Sequence, residues 1–220
     1  MEALIELNNV SKSFGEKQVL KNVKFCIPQG EIIGLIGPNG SGKTTIINII
    51  LGIIKQTQGQ LKIKEGLKIG SCVLTMGIFP EFSVSRNLSI AQTILGASIT
   101  QRNNIIEAFN LNEILSVRFS KLSTGMKQIV ALSISFMGDP DLVILDEPLN
   151  GLDVDHIIFF RNFIETQKGK RTIFIASHIL SELEKTCTHV VFIKGGTIIR
   201  NGSKDSILNE FGSFEAAYLN

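Results

Sequence analysis

The stretch EIIGLIGPNGSGKTTIINII, Glu31 to Ile50, constrains this chain more than any other. It opens with an apolar, β-branched run, Ile32 to Ile36, of the length and character of a buried parallel strand. The pattern G-x-x-x-x-G-K-[ST] follows at Gly37, Gly42, Lys43 and Thr44. Glycines let a backbone curl until its N–H groups point at phosphate oxygens. A helix beginning after them adds its positive end. Lys43 then reaches β- and γ-phosphates, and the Thr44 hydroxyl suits Mg²⁺. With a strand before it and a helix after it, a chance glycine turn is a poor alternative.

A second anchor is DLVILDEPLNGLD, Asp141 to Asp153. Its LVIL core reads as another buried strand, ending in two carboxylates. Ligands in open α/β sheets bind beyond the carboxyl ends of the strands. Asp146 there suits a Mg²⁺ shell, and Glu147 suits a base that orients and deprotonates an attacking water. A third strand, TIFIAS (Thr172 to Ser177), delivers His178 to the same edge, within reach of a γ-phosphate. His156 and His189 lack that setting and read as ordinary residues.

Composition narrows the class. The 220 residues fit one domain with room for an inserted lobe, and 44% hydrophobic content argues against disorder. A formal charge of +2 gives no bulk attraction for nucleic acid. Cys26, Cys72 and Cys187 are scattered without metal-ligand spacing, which fits buried thiols in a reducing compartment. The N-terminal MEALIELNNV carries acids and no secretory pattern, and the greasiest run, Ile46 to Ile54, is too short to span a bilayer. The chain is expected to stay in water, with any membrane role left to a partner.

The segment KLSTGMKQ, Lys121 to Gln128, is a second phosphate-friendly stretch far from the first. Alone it reads as a capped helix start, with the helix over Met126 to Phe136. The ordered series GPNGSGKTT, LSTGMKQ, LVILDEP, NGLD and SH, however, resembles the ATP-binding subunits of ABC transporters along essentially the whole chain. That resemblance implies an α/β fold with a P-loop NTPase (RecA-like) core, an antiparallel β subdomain and an inserted helical subdomain. It implies ATP and Mg²⁺ as cofactors. ATP would be held by Gly37, Pro38, Asn39, Gly40, Ser41, Gly42, Lys43, Thr44 and Thr45, with Mg²⁺ at Thr44 and Asp146. Phe14, within VSKSFGEKQVL, takes the place of the ring that stacks on adenine. Glu147 and His178 take the catalytic places. Ser123, Thr124 and Gly125 match the family signature, normally LSGGQ, which closes over ATP held by a second subunit. Serine and glycine at a helix start offer donors to that phosphate. Asn150, Gly151, Leu152 and Asp153 match the D-loop between the two ATP sites, with a departure at Asn150 or Gly151, where serine or alanine is usual.

The organisation expected is one ABC ATPase domain. Residues 1–81 and 138–202 would form the nucleotide-binding core. Residues 82–137 would form a helical subdomain carrying periodic apolar residues at Leu88, Ile90, Ala91, Ile94 and Leu95, and 203–220 a helical tail. An antiparallel β portion up to about Ile27, with its turn at FGEK, precedes the core, and HVVFIKGGTIIRNGS reads as a strand, a Gly-Gly turn and a strand. One cassette requires a second ATPase subunit, the same or different, and integral membrane permease subunits. That places the chain peripherally on the cytoplasmic face of the membrane, with no nucleic-acid partner. IGSCVLTMGIFPEFSVSRNL and FGSFEAAYL look most like small exporter ATPases of the drug, bacteriocin-immunity and ABC-2 type.

One departure bears on catalysis. Where the family places glutamine or glutamate, alignment puts Leu74, and a shift of one residue would bring in Thr75. Retained ATP binding with slow or partner-dependent hydrolysis is the expectation. A catalytically weakened regulatory subunit and a cassette outside transport are the alternatives; the latter usually carries coiled coils or DNA-binding insertions for which this chain has no room.

Overall fold

The computed structural model describes residues 2–72 and 77–220. Leu74 and Thr75 lie outside the described residues. The chain groups into two compact units, one running to Leu67 and resuming over Lys168–Asn220, the other Lys68–Gln167.

The first unit begins with two long strands, β1 (Ala3–Phe14) and β2 (Lys17–Pro28), joined by a tight hairpin in which Phe14 faces Lys17. Gly15, at φ +58, makes the turn, within the FGEK stretch expected to hold it. β3 (Ile32–Ile36) is buried at all five positions, as its unbroken apolar run requires. α1 (Lys43–Ile50) follows, and β4 (Gln58–Ile63) pairs antiparallel with β1, giving a three-stranded order β2-β1-β4. Cys26 corrects the expectation of buried thiols: β2 alternates inward and outward there, and Cys26 falls on the outward face.

The second unit opens with β5 (Ile69–Cys72) and then α2 (Val84–Ile94), capped by Ser83, whose side chain accepts from Arg86 N. α3 (Ile99–Ala108) starts in a full capping box of Ser98 and Gln101. α4 (Thr124–Ser135) is followed by β6 (Leu142–Asp146), which pairs in parallel with β5, and by α5 (Val154–Gln167). Gly70 of β5 lies so close to the Ser135 carbonyl that a Cβ would overlap it, which lets α4 sit directly on the strand. A cluster of Phe109, Phe136, Phe159 and Phe163 fills the helical side, with Phe109 and Phe163 centroids 4.5 Å apart. Such ring pairs add about 0.5–1.5 kcal/mol each beyond their burial. The apolar spacing of α2 misleads in part: Leu88 and Ala91 are buried, but Ile94 is 74% exposed and Leu95 43%.

The chain then returns to the first unit. β7 (Thr172–Ser177) is wholly buried and pairs in parallel with β3, register Ile32↔Ile173 to Ile36↔Ser177. α6 (Leu180–Thr186) leads to β8 (His189–Lys194), parallel to the other side of β3, and β9 (Thr197–Ser203) turns back antiparallel on β8. Gly195 and Gly196, at φ +56 and +83, form that turn, in the conformation hairpins favour. α7 (Lys204–Phe211) and α8 (Phe214–Leu219) end the chain, with Phe214 packed edge-on against Phe192. Gly34 in β3 makes room for α6: a Cβ there would stand 2.8 Å from the Cys187 Sγ.

Candidate nucleotide site

In the first unit the phosphate loop joins β3 to α1. Gly37 is fixed at its start, its N–H donating to the Ser177 carbonyl at 3.4 Å. A Cβ on Gly37 would overlap the Ile193 carbonyl and stand 2.7 Å from Ser41 Oγ. Gly40 and Gly42 take φ +78 and +107, which turns the loop's amides inward. Ser41 N donates to Pro38 O at 3.2 Å, and the Ser41 hydroxyl is buried without a protein partner. A buried hydroxyl costs free energy unless something hydrogen-bonds it, so it fits a ligand oxygen. Lys43 is 5% exposed, its ammonium donating to Gly37 O at 2.8 Å and Pro38 O at 3.4 Å. Thr44 is exposed, Thr45 half-buried, and Pro38, Asn39 and Gly40 form the exposed rim. No acid occupies the first turn of α1, which leaves its positive end for an anion.

Two further groups gather at this loop. Leu20 Cδ2 and the Val19 carbonyl border Gly42, so the start of β2, whose Lys17 pairs with Phe14, lies against the loop. Phe14 is 50% exposed, with Lys12 Nζ 4.8 Å from its ring centroid. His178 follows β7 directly, exposed, on the strand whose last carbonyl anchors Gly37.

The second unit holds the acids and the signature. β6 is buried to Leu145 and emerges at Asp146 and Glu147, both half-buried. Glu147 stands at φ +49, a left-handed conformation rare for glutamate and costing about 1–3 kcal/mol. Pro148 then occupies the second position of a turn closed by Asn150 N donating to Glu147 O at 3.2 Å, the position proline favours. A second turn follows, Leu152 N to Leu149 O at 3.2 Å, with Gly151 at φ +78. Asn150, Gly151 and Asp153 are exposed and Leu152 half-buried. Asp153 caps α5, its Oδ1 accepting from His156 N at 2.9 Å and lying 2.7 Å from His156 Nδ1. The backbone hydrogen bond first, then the side-chain one, hold the Asp153 carboxyl below its usual range.

Ser123 is the N-cap of α4, Oγ accepting from Met126 N at 3.2 Å. The helix therefore begins two residues before Met126, because the serine that the sequence offered as a ligand also caps it. Ser123 and Thr124 are exposed, and Gly125 is buried, a Cβ there standing 3.2 Å from Gly151 O.

Three side chains passed over in the sequence meet these residues. Gln128 donates from Nε2 to Pro148 O at 3.2 Å. His156 pairs with Asp153, a link that the cap-to-third-residue spacing signals. Cys72 ends β5 opposite Leu145, and burial, then the charge of Asp146, push its thiol up to about 12.

A glycine-built loop between a buried parallel strand and a helix, with paired acids ending another strand, defines a P-loop nucleotide triphosphatase. Comparison with known proteins makes this specific. The family model for ABC transporter matches residues 20–150. The lantibiotic transport ATP-binding protein SrtF of Streptococcus pyogenes is 37% identical over 215 residues, covering 94% of this chain and 93% of that protein. The bacitracin transport ATP-binding protein BcrA of Bacillus licheniformis is 36% identical over 214 residues, 90% of this chain and 69% of that protein. A solved ATP-binding subunit of an ABC transporter superposes with a TM-score of 0.88 at 29% identity, covering 98% of each chain. The chain belongs to the ABC transporter family, as an ATP-binding, ATP-hydrolysing subunit.

Proposed function

We propose that two ATPase subunits of this kind close head to tail around two ATP molecules and drive export through a separate membrane permease. The phosphate loop with its partnerless buried hydroxyl at Ser41 carries the nucleotide half of this reading. Gly37 to Thr45 bind the phosphates, Lys43 neutralises the β- and γ-oxygens, and Phe14 stacks on adenine. Glu147 takes the proton of the attacking water, and His178 hydrogen-bonds the γ-phosphate. Ser123, Thr124 and Gly125 serve the nucleotide of the other subunit, and Asn150 to Asp153 run between the two sites.

Thr44 and Asp146 would hold Mg²⁺. Both offer hard oxygen donors, and no group of three His, Cys, Asp or Glu side chains gathers to cage a metal among the described residues. Such a donor set suits an ion shared with phosphate and water, where it would neutralise charge on the transferred group.

Phe79 and Phe82, with ring centroids 5.6 Å apart before α2, and Ile94 and Leu95 at its far end are exposed on the second unit, apolar groups suited to docking on a permease. No helix among the described residues is long and apolar enough to cross a membrane. The relatives named for lantibiotic transport and bacitracin transport support the export reading. We place the chain peripherally, on the cytoplasmic face.

Ser123→Arg tests the head-to-tail arrangement. A single chain should keep its ATP affinity within about twofold, because the residue is exposed. ATP-driven dimerisation should disappear and turnover fall at least about tenfold. Loss of ATP binding by the monomer would instead place Ser123 at its own chain's nucleotide.

Leu74 favours slow or permease-dependent hydrolysis, since leucine offers the metal and water no oxygen. Leu74→Gln should raise the ATPase rate and lower the Mg²⁺ requirement about tenfold. Brisk hydrolysis by the parent chain alone, at ordinary Mg²⁺, would show that the leucine is no handicap.

A further inference from the structure

We propose that Gln128 is a positioning residue for hydrolysis, tying the signature helix to the turn that aims Glu147. The proposal rests on the roles assigned above to Ser123 and Glu147. Three contacts join the start of α4 to the segment after β6. Gln128 Nε2 donates to Pro148 O at 3.2 Å, Gly125 lies against the Gly151 carbonyl, and Gly151 lies against the Thr124 methyl. The two glycine contacts are steric and fix only separation. The hydrogen bond fixes orientation.

Pro148 O belongs to the central peptide of the turn that Asn150 N closes on Glu147 O. That carbonyl takes no part in the turn's own hydrogen bond, so nothing in the turn stops the peptide plane from rotating. A rotation there changes ψ of Pro148 and φ of Leu149 and so alters the turn that closes on the Glu147 carbonyl. A donor on Pro148 O holds the plane. Gln128 stands five residues from Ser123 on the helix that Ser123 caps. A shift of this helix on meeting the second subunit's phosphate is thus passed to the backbone of Glu147 within one chain.

The test compares Gln128→Met, which keeps shape and loses the donor, with Gln128→Lys, which keeps a donor on a chain of similar reach. Steady-state ATPase is measured on the full chain, alone and in the Glu147→Gln background, the latter by single turnover. Gln128→Met should lower kcat about five- to tenfold with KM for ATP and Tm little changed, and Gln128→Lys should recover most of the rate. In the Glu147→Gln background Gln128→Met should cost nothing further, because the group it aims is already gone. A kcat within twofold of the parent, or losses that multiply in the double variant, overturns the link while leaving the role of Glu147 intact. A Glu147→Gln chain that turns over at the parent rate overturns the role of Glu147, and this proposal with it.

Discussion

Glu147→Gln is expected to bind Mg-ATP like the parent chain and hydrolyse it about 10²- to 10⁴-fold more slowly, the span attributed to a positioned general base. The amide matches the carboxylate in size, so the half-buried end of β6 keeps its packing. The turn after it is retained too, since Asn150 N donates to the main-chain carbonyl of residue 147 and not to its side chain. What is lost is the proton acceptor. With hydrolysis stalled and binding intact, ATP should accumulate a closed pair of chains, read as a doubled mass on size exclusion with ATP and a single mass with ADP. A variant that stays monomeric at saturating ATP would count against the two-chain arrangement. One that hydrolyses ATP at the parent rate would remove Glu147 from the chemistry.

Lys43→Ala should weaken ATP binding by about 10- to 100-fold, the range for losing charge-assisted hydrogen bonds to phosphate. Two effects act together. The ammonium no longer faces the β- and γ-oxygens. The Gly37 carbonyl also loses the donor it has at 2.8 Å, so the loop loses part of its internal bracing. The deficit should be larger for ATP than for AMP, which lacks the oxygens in question. Titration calorimetry with both nucleotides separates this from a collapsed loop, which would weaken both equally. Parental affinity for ATP would refute the phosphate-loop assignment.

The parts of the fold legible beforehand were those whose signal is local and unbroken. Ile32 to Ile36 and Thr172 to Ser177 are continuous apolar runs bounded by glycine or a polar residue, and every side chain in both is buried. The Gly-Gly turn before β9 is equally local, because glycine meets two successive positive φ values without strain. Where tertiary context decides, reading from sequence stopped short. The apolar spacing of α2 marks a stripe but not what covers it, and Ile94 at its end stays 74% exposed. Cys26 went astray because a thiol's average preference yields to strand alternation. At the candidate site, motif spacing pointed to Lys43 and Asp146 and the family resemblance to Ser123, whereas Gln128 reaches a carbonyl on a distant segment and leaves no mark in spacing. The left-handed Glu147 is likewise invisible in a string of letters, because glutamate has no preference for that conformation.

The close approach of Gly70 to the Ser135 carbonyl bears on how a lineage of such chains can drift. At 37% identity to a relative, most positions have changed in one chain or the other. Gly70 is not free to join them. No side chain fits, and the obstacle is backbone, which cannot be traded away by repacking a neighbour. Gly59 against Asn9 and Gly196 against Val19 are bound in the same way. At Gly52, Gly66 and Gly169 a side chain would meet open space, and only the positive φ resists replacement, a penalty that asparagine largely escapes. Mutation can therefore explore the second set one step at a time, while the first changes only if a strand and its neighbour move apart together. Glycines of one composition thus divide into steric fixtures and negotiable turns.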